Sequence, residues 1–328
     1  MSEASVAVRI RVTGARLLGP LAPFIGLLVV MGLFHAIAPD KHLTLLGLRT
    51  ICVNTVIVGV CAMGMTLIIV SGGIDLSVGS AIALVGVVTA LVFERSWPLW
   101  TGVVLALVAG AACGLYNGLL ITVLRLPPFI ATLGTLGFYR GLAKWLSNSQ
   151  PVNAPTFGLE EWVRPVPVYD WLVFAPGVWL MLGLGIVMAV VLRHSLLGRY
   201  ALAIGSNEAT ARLCGIRVGR TKLLIYATAG LLTGLAGLMQ FARLTQGDPT
   251  VAVGVELDVI AAVVIGGGSL AGGQGSVIGT LTGAFLMAYL RNRCTALYWP
   301  NYIQEIIVGH IIIIAVALDQ WRVRRSSR

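Results

Sequence analysis

Gly64-Met-Thr-Leu-Ile-Ile-Val-Ser-Gly-Gly-Ile-Asp-Leu-Ser-Val-Gly-Ser80 ends one apolar run, 51–70, and begins another, 76–93, with a single carboxylate, Asp75, between them. A run such as 51–70 carries no charge and is long enough to cross about 30 Å of hydrocarbon. Gly72 and Gly73 let the backbone break, and Asp75 or Ser77 can cap the helix that follows. An ionisable side chain between two spans marks a functional candidate by default. Asp75 therefore reads first as a cap at the membrane interface, with solute contact and contact to a neighbouring subunit as the alternatives.

The pattern repeats along the chain. Apolar runs recur at 17–38, 51–70, 76–93, 99–124, 129–147, 171–192, 223–241, 257–271, 276–290 and 303–320. Of these, 129–147, 257–271 and 276–290 are short, polar or glycine-interrupted, as re-entrant or broken segments are. Composition agrees: of 328 residues 57% are hydrophobic and 11% charged, against roughly 45–50% and about 25% in a soluble domain. Mean hydropathy is +0.91. A disordered chain, a secreted disulfide scaffold and an ordinary cytosolic enzyme are excluded. The expectation is one all-α membrane domain over 1–328, a polytopic bundle of about ten transmembrane or partly re-entrant helices.

Charge gives the orientation. The net charge is +10, but the cations cluster beside apolar runs, at Arg9–Arg16, Arg193–Lys222 and Arg322–Arg328. Cytoplasmic loops show this pattern, and nucleic acid is not implied. Both termini (the tails 1–16 and 321–328) and the 193–222 loop are expected in the cytoplasm. The 148–170 stretch, with one Arg against Glu160, Glu161 and Asp170 and aromatics at Trp162, Tyr169 and Trp171, is expected outside as an interfacial belt. The 17–38 run exceeds the 7–15 residues of a cleavable signal core and reads as an uncleaved first helix.

Within 193–222, Asn207–Cys214 reads as a short amphipathic helix. Asn207 or Ser206 would cap it and Gly215 would stop it; Glu208 and Arg212 would pair at i,i+4, and Ala211 and Cys214 would share a face. Gly215-x-x-x-Gly219-Arg-Thr-Lys222 misses the phosphate-binding loop by one residue of spacing, with Arg220 where Lys belongs. In Gly254–Ser276 the glycines of Ile265-Gly-Gly-Gly-Ser-Leu-Ala-Gly-Gly-Gln-Gly-Ser276 allow close backbone approach. They lack the strand, the sixth-position glycine and the following acid of a dinucleotide site. Asp258 reads as a cap that could also face a pathway. Cys52, Cys61, Cys113, Cys214 and Cys294 are scattered packing residues without metal spacing. Asn54 and Asn117 sit in mid-span, where they either glue helices or line a sugar path. His310 in the last run would bond a neighbouring helix. Neither a catalytic nor a metal-binding constellation is present, so no enzyme activity, metal or cofactor is expected on this chain.

Three segments carry a resemblance: GMTLIIVSGGIDLSVGS (64–80), AIGSNEATARLCGIRV (203–218) and GVELDVIAAVVIGGGSLAGGQGSVIGTLTGA (254–284). The chain, from about 50 to 320, resembles the permease subunits of bacterial ATP-binding-cassette importers for monosaccharides, the ribose, xylose, arabinose and galactofuranose group. The resemblance implies a multi-pass protein of the bacterial inner membrane. A second permease copy or paralogue would pair with it, and a periplasmic sugar-binding protein would deliver a small sugar. A cytoplasmic ATP-binding cassette subunit would carry the ATP and Mg. Glu208, Ala209, Ala211, Arg212 and Gly215 then inherit the ATPase-coupling role, although Thr210 and an extra residue before Gly215 depart from the familiar Glu-Ala-Ala…Gly spacing. The implied path adjoins Gly72, Gly73, Asp75, Ser77, Gly267 and Ser269, with Asn54, Asn117 and Asp258 as further candidates. The rival expectation is a proton-coupled secondary sugar transporter.

Overall fold

Each of the ten apolar runs holds a helix, the form in which a backbone amide finds its partner within its own segment, as hydrocarbon requires. The computed structural model of the protein describes residues 23–38, 43–168 and 171–326. The 1–16 tail, the start of the 17–38 run, Tyr169 and Asp170 of the outer belt and residues 327–328 of the basic tail lie outside the described residues. The helices are α1 (Pro23–Ile37), α2 (Leu45–Val70), α3 (Val78–Glu94), α4 (Leu99–Thr122), α5 (Pro128–Leu146) and α6 (Pro176–His194), then α7 (Leu196–Ser206), α8 (Glu208–Leu213), α9 (Val218–Leu244), α10 (Val255–Ile265), α11 (Val277–Ala296) and α12 (Asn301–Ser326). Five of them, α2, α4, α6, α9 and α12, are long and apolar enough to cross a membrane.

The departures from expectation are local. The 193–222 loop holds two helices, not one: α7 begins at Ser195, whose side chain caps the amide of Gly198. The 276–290 run is not broken but continues as a 20-residue helix, α11, capped by Ser276. A two-residue antiparallel pair, β1 (Val152–Asn153) with β2 (Gln246–Gly247), adds a small sheet to the expected all-α fold.

α2 and α9 form the core. α2 is buried along most of its length, and α9 packs against α2, α3 and α4. Lipid supplies no hydrophobic drive between helices, so such contacts depend on close van der Waals approach at small residues. Gly110 and Gly114 of α4, four apart, meet Gly230, Gly234 and the Tyr226 backbone of α9 without room for a Cβ, and Gly118 one turn on fits tightly against Leu223 and the Tyr226 Cβ.

The bundle has two ends. Gly118 of α4 meets Leu223 of α9 while Gly110 meets Gly234, so α4 and α9 are antiparallel. Phe34 of α1 stacks on Tyr289 and Trp299 at one end. Asp319 of α12 reaches Ser269 and Leu270 at the other, where α7 and α8 also lie. The latter is called the loop end below, and the former the outer end.

Candidate functional site

The first site is a helix at the surface. Asn207 caps α8 by accepting from the amide of Thr210, and Gly215 follows the C-cap at φ +84°, where a Cβ would be strained. Glu208 accepts from Arg212 at 2.6 Å and from Lys222 of α9 at 2.7 Å. These two hydrogen bonds hold its carboxyl below the ordinary 4.5. Ala211 packs inward against Ile204 and Val218. Cys214, expected on that same face, is exposed, because the helix ends one residue before it. Ala209 and Thr210 are exposed. Leu213, which the sequence reading passed over, stands 89% exposed. The result is a small rigid knob with an apolar tip, riveted by Glu208 to the start of α9.

Behind the knob the two glycine-rich breaks meet. The amide of Gly273 donates to the carbonyl of Val70 at 2.9 Å, and Gly205 of α7 lies against both groups. Gly72, Gly267, Gly272 and Gly273 all have positive φ. Ser269 and the Leu270 amide bond the carboxylate of Asp319 at 3.0 and 3.2 Å. Of the predicted residues, Gly72, Gly73, Gly267 and Ser269 thus belong to the loop end, where the backbone of α7 lies against that of the two breaks.

Asp75, Ser77 and Asn117 form a third group. Asp75 is 7% exposed and is not an interface cap. Its Oδ1 accepts from the Ser77 amide at 2.8 Å and hydroxyl at 2.6 Å, and Oδ2 accepts from Asn117 Nδ2 at 3.2 Å. Asn117 also donates to Ser77 Oγ at 2.8 Å and accepts from Thr135 at 2.7 Å and Tyr139 at 3.2 Å. The network ties the broken α2–α3 connection to α4 and α5, so Asn117 is interhelical glue. Among the described residues His310 bonds the Ile306 carbonyl of its own helix and not a neighbouring helix.

The remaining two candidates, Asn54 and Asp258, share a cavity of about 290 Å³ toward the outer end. Asp258 is not the cap of α10; Gly254 is, and Asp258 pairs instead with Arg291 of α11 at 2.9 Å. Asn54 of α2 accepts from Arg243 of α9 at 3.2 Å. Gln240 completes the polar lining, and Ile57, Val58 and Met287 form apolar wall. Asn54 and Arg243 also line a second opening of about 470 Å³, bounded by Glu160, Arg164 and Pro165 of the 148–170 stretch. The polar pair therefore stands between the outer opening and the inner cavity.

The floor of the cavity is non-helical chain. After α9 the backbone turns back: Gly247 lies against Gly86 and Ala90 of α3, and Ala252 against Gly79, one turn from the inner end of that helix. Unwound backbone at membrane depth is tolerated where protein buries it or where it lines a water-filled cavity. Here Arg140 of α5 satisfies the carbonyls of Pro249 and Val251 at 2.8 and 2.7 Å. Arg243, Arg291 and Gln240 were missed in the sequence because each reads there as an ordinary end-of-span residue, and Arg140 because the 129–147 run reads as a polar, partly re-entrant segment. Among the described residues, no three His, Cys, Asp or Glu come together as metal ligands do.

Set beside known proteins, residues 47–316 match the family described as branched-chain amino acid transport system / permease component. The chain is similar to the ribose import permease protein RbsC of Escherichia coli (strain K12), 40% identical over 90% of this chain and 92% of that one. It is 36% identical to RbsC of Bacillus subtilis (strain 168), over 92% of both chains. With the L-arabinose transport system permease protein AraH of Escherichia coli (strain K12) it shares 35% identity over 90% of both. No solved structure matches significantly.

Proposed function

The chain belongs to the family of branched-chain amino acid transport system permease components, a multi-pass membrane protein, and on that premise we propose that it imports a monosaccharide across the bacterial inner membrane. The sugar class follows the ribose and arabinose relatives, which match over nine-tenths of the chain. All ten long helices are taken to cross or enter the membrane, with the loop end cytoplasmic, as the basic residues of 193–222 favour. An ATP-binding cassette subunit supplies the energy, a periplasmic binding protein supplies the solute, and a second permease completes the path.

The observation that carries the coupling role is α8. A six-residue helix presents exposed Ala209, Thr210 and Leu213 while Glu208 clamps it to Lys222 of α9. A push on this knob is delivered directly to a 27-residue helix whose far end carries Gln240 and Arg243. Gly205 transmits the same push to Val70 and Gly273, at the inner ends of α2 and of the α10–α11 connection. Alternating access then consists of parting the backbone seal at the loop end while the outer opening narrows. The chain contributes a path and bistable packing, and the chemistry of ATP belongs to the partner.

Proton coupling is not favoured. Asp258 is held by Arg291, and Asp75 by Ser77 and Asn117, so both carboxylates are engaged in the fold. The test is uptake of D-ribose and L-arabinose into proteoliposomes holding this permease, a cassette ATPase and a binding protein. ATP-dependent uptake, lost in Glu208→Lys together with ATPase stimulation, is expected. Uptake that follows an imposed proton gradient and ignores ATP would overturn the reading.

A further inference from the structure

The inner cavity holds polar groups that the fold leaves unused. Gln240 is only 9% exposed, lines the cavity and makes no hydrogen bond among the described residues. The buried Nε of Arg291 also has no partner. Arg243, an exposed side chain, makes one bond among the described residues, at 3.2 Å, and lines the same cavity. Buried polar groups in native proteins are almost always paired, so the Arg291 Nε and the Gln240 amide that borders the cavity keep hydrogen-bonding capacity for a ligand.

We infer that Gln240, Arg243, Asp258 and Arg291 form a binding station for the transported solute, a monosaccharide-sized polyol, and that Gln240 sets its specificity. The inference rests on the sugar-importer reading for what is transported; the site itself rests on the unpaired groups. Guanidinium N–H groups donate to hydroxyl oxygens, and the Asp258 carboxylate has lone pairs left to accept from hydroxyl hydrogens. The Gln240 amide does both, so it can engage two adjacent hydroxyls. Ile57, Val58 and Met287 offer the apolar face against which a sugar ring lays its C–H side. The volume, about 290 Å³, is at the small end of ligand pockets, roughly 300–1,000 Å³, which accommodates one sugar ring. A site that commits buried polar groups to hydroxyls discriminates strongly against solutes lacking them.

The experiment uses the purified full-length protein and its Gln240→Leu, Gln240→Asn and Arg243→Met forms. Thermal unfolding is followed with graded D-ribose or L-arabinose, with sucrose at matched osmolality reporting general stabilisation by excluded sugar. Uptake by the assembled importer is measured in parallel. Without sugar, Gln240→Leu should unfold at or above the wild-type temperature, because the side chain it replaces bonds nothing. The wild type should show saturable stabilisation by a monosaccharide beyond that by sucrose. Gln240→Leu and Arg243→Met should weaken it at least tenfold, and Gln240→Asn should restore part of it. If wild-type uptake occurs but stabilisation matches sucrose and Gln240→Leu transports normally, the station is refuted and the importer reading stands. If the wild type transports neither sugar yet shows Gln240-dependent stabilisation, the station stands and the importer reading falls.

Discussion

Gly205→Ala tests whether the coupling segment is pressed onto the membrane helices. Gly205 lies in the last turn of α7, where a Cβ would land on the carbonyl oxygen of Val70 and the amide nitrogen of Gly273. Both are backbone atoms and neither can swing aside. The added methyl must lift α7 off α2 and break the 2.9 Å bond from Gly273 to Val70. Overpacking of this kind costs about 1–3 kcal/mol, and loss of a buried hydrogen bond adds about 0.5–1.5 kcal/mol. Alanine returns about 1 kcal/mol of helix propensity relative to glycine. The net expectation is a loss of about 1–3 kcal/mol, a fall of several degrees in unfolding midpoint. The assay is thermal unfolding in detergent read by a thiol-reactive dye, since Cys61, Cys113 and Cys294 are buried in the folded protein, with exposed Cys214 first changed to Ser. Gly219→Ala is the control: its Cβ would be 3.9 Å from Thr122, an ordinary contact, and no loss is expected. In the assembled importer Gly205→Ala should also lower sugar uptake per ATP hydrolysed. A Gly205→Ala protein that unfolds with the wild type would refute the close contact and the transmission route built on it.

Other substitutions probe other joints. Gly114→Ala should destabilise by about 1–3 kcal/mol through collision with Tyr226 and Gly230 backbone, whereas Gly134→Ala, with open space around it, should leave the same melt unchanged or slightly raised. Asn117→Leu removes one hydrogen-bond partner each from Asp75, Thr135 and Tyr139, whose other bonds remain, and should cost about 1–3 kcal/mol in that assay; a melt equal to wild type would mean that the network adds nothing. Asp258→Asn removes the counter-charge of Arg291 and should destabilise, with Arg291→Gln in the same chain recovering much of the loss, as a double-mutant cycle would read. Glu208 has a depressed carboxyl pKa, so its contribution is full above the ordinary 4.5 and is lost only as pH falls through the lower folded value. Binding of a cassette ATPase should therefore not change between pH 8 and pH 5 on account of Glu208. Glu208→Gln should speed tryptic cleavage at Arg212 and Arg217 two- to fivefold at pH 7.5, in line with about 0.5–1 kcal/mol for a partly exposed pair.

The amino-acid sequence by itself determined the solvent, the helical class and the local devices. Each of the ten apolar runs holds a helix because a bilayer leaves the backbone no other way to satisfy itself. Asn207, Gly215 and the Glu208–Arg212 spacing specify α8 through contacts no more than four residues apart. What only the tertiary structure decided is which polar side chain meets which. Asn54 finds Arg243 across 189 positions, Asp258 finds Arg291, and Asp75 turns from a cap into the acceptor of a buried network. Gln240 and Arg291 Nε become notable only because, among the described residues, no hydrogen-bond partner meets them. The physical reason is range. Propensity, capping and hydropathy act within one segment, whereas these pairings follow from how closely α2, α4, α9 and the glycine-rich breaks can approach, and small residues far apart in the chain set that distance jointly.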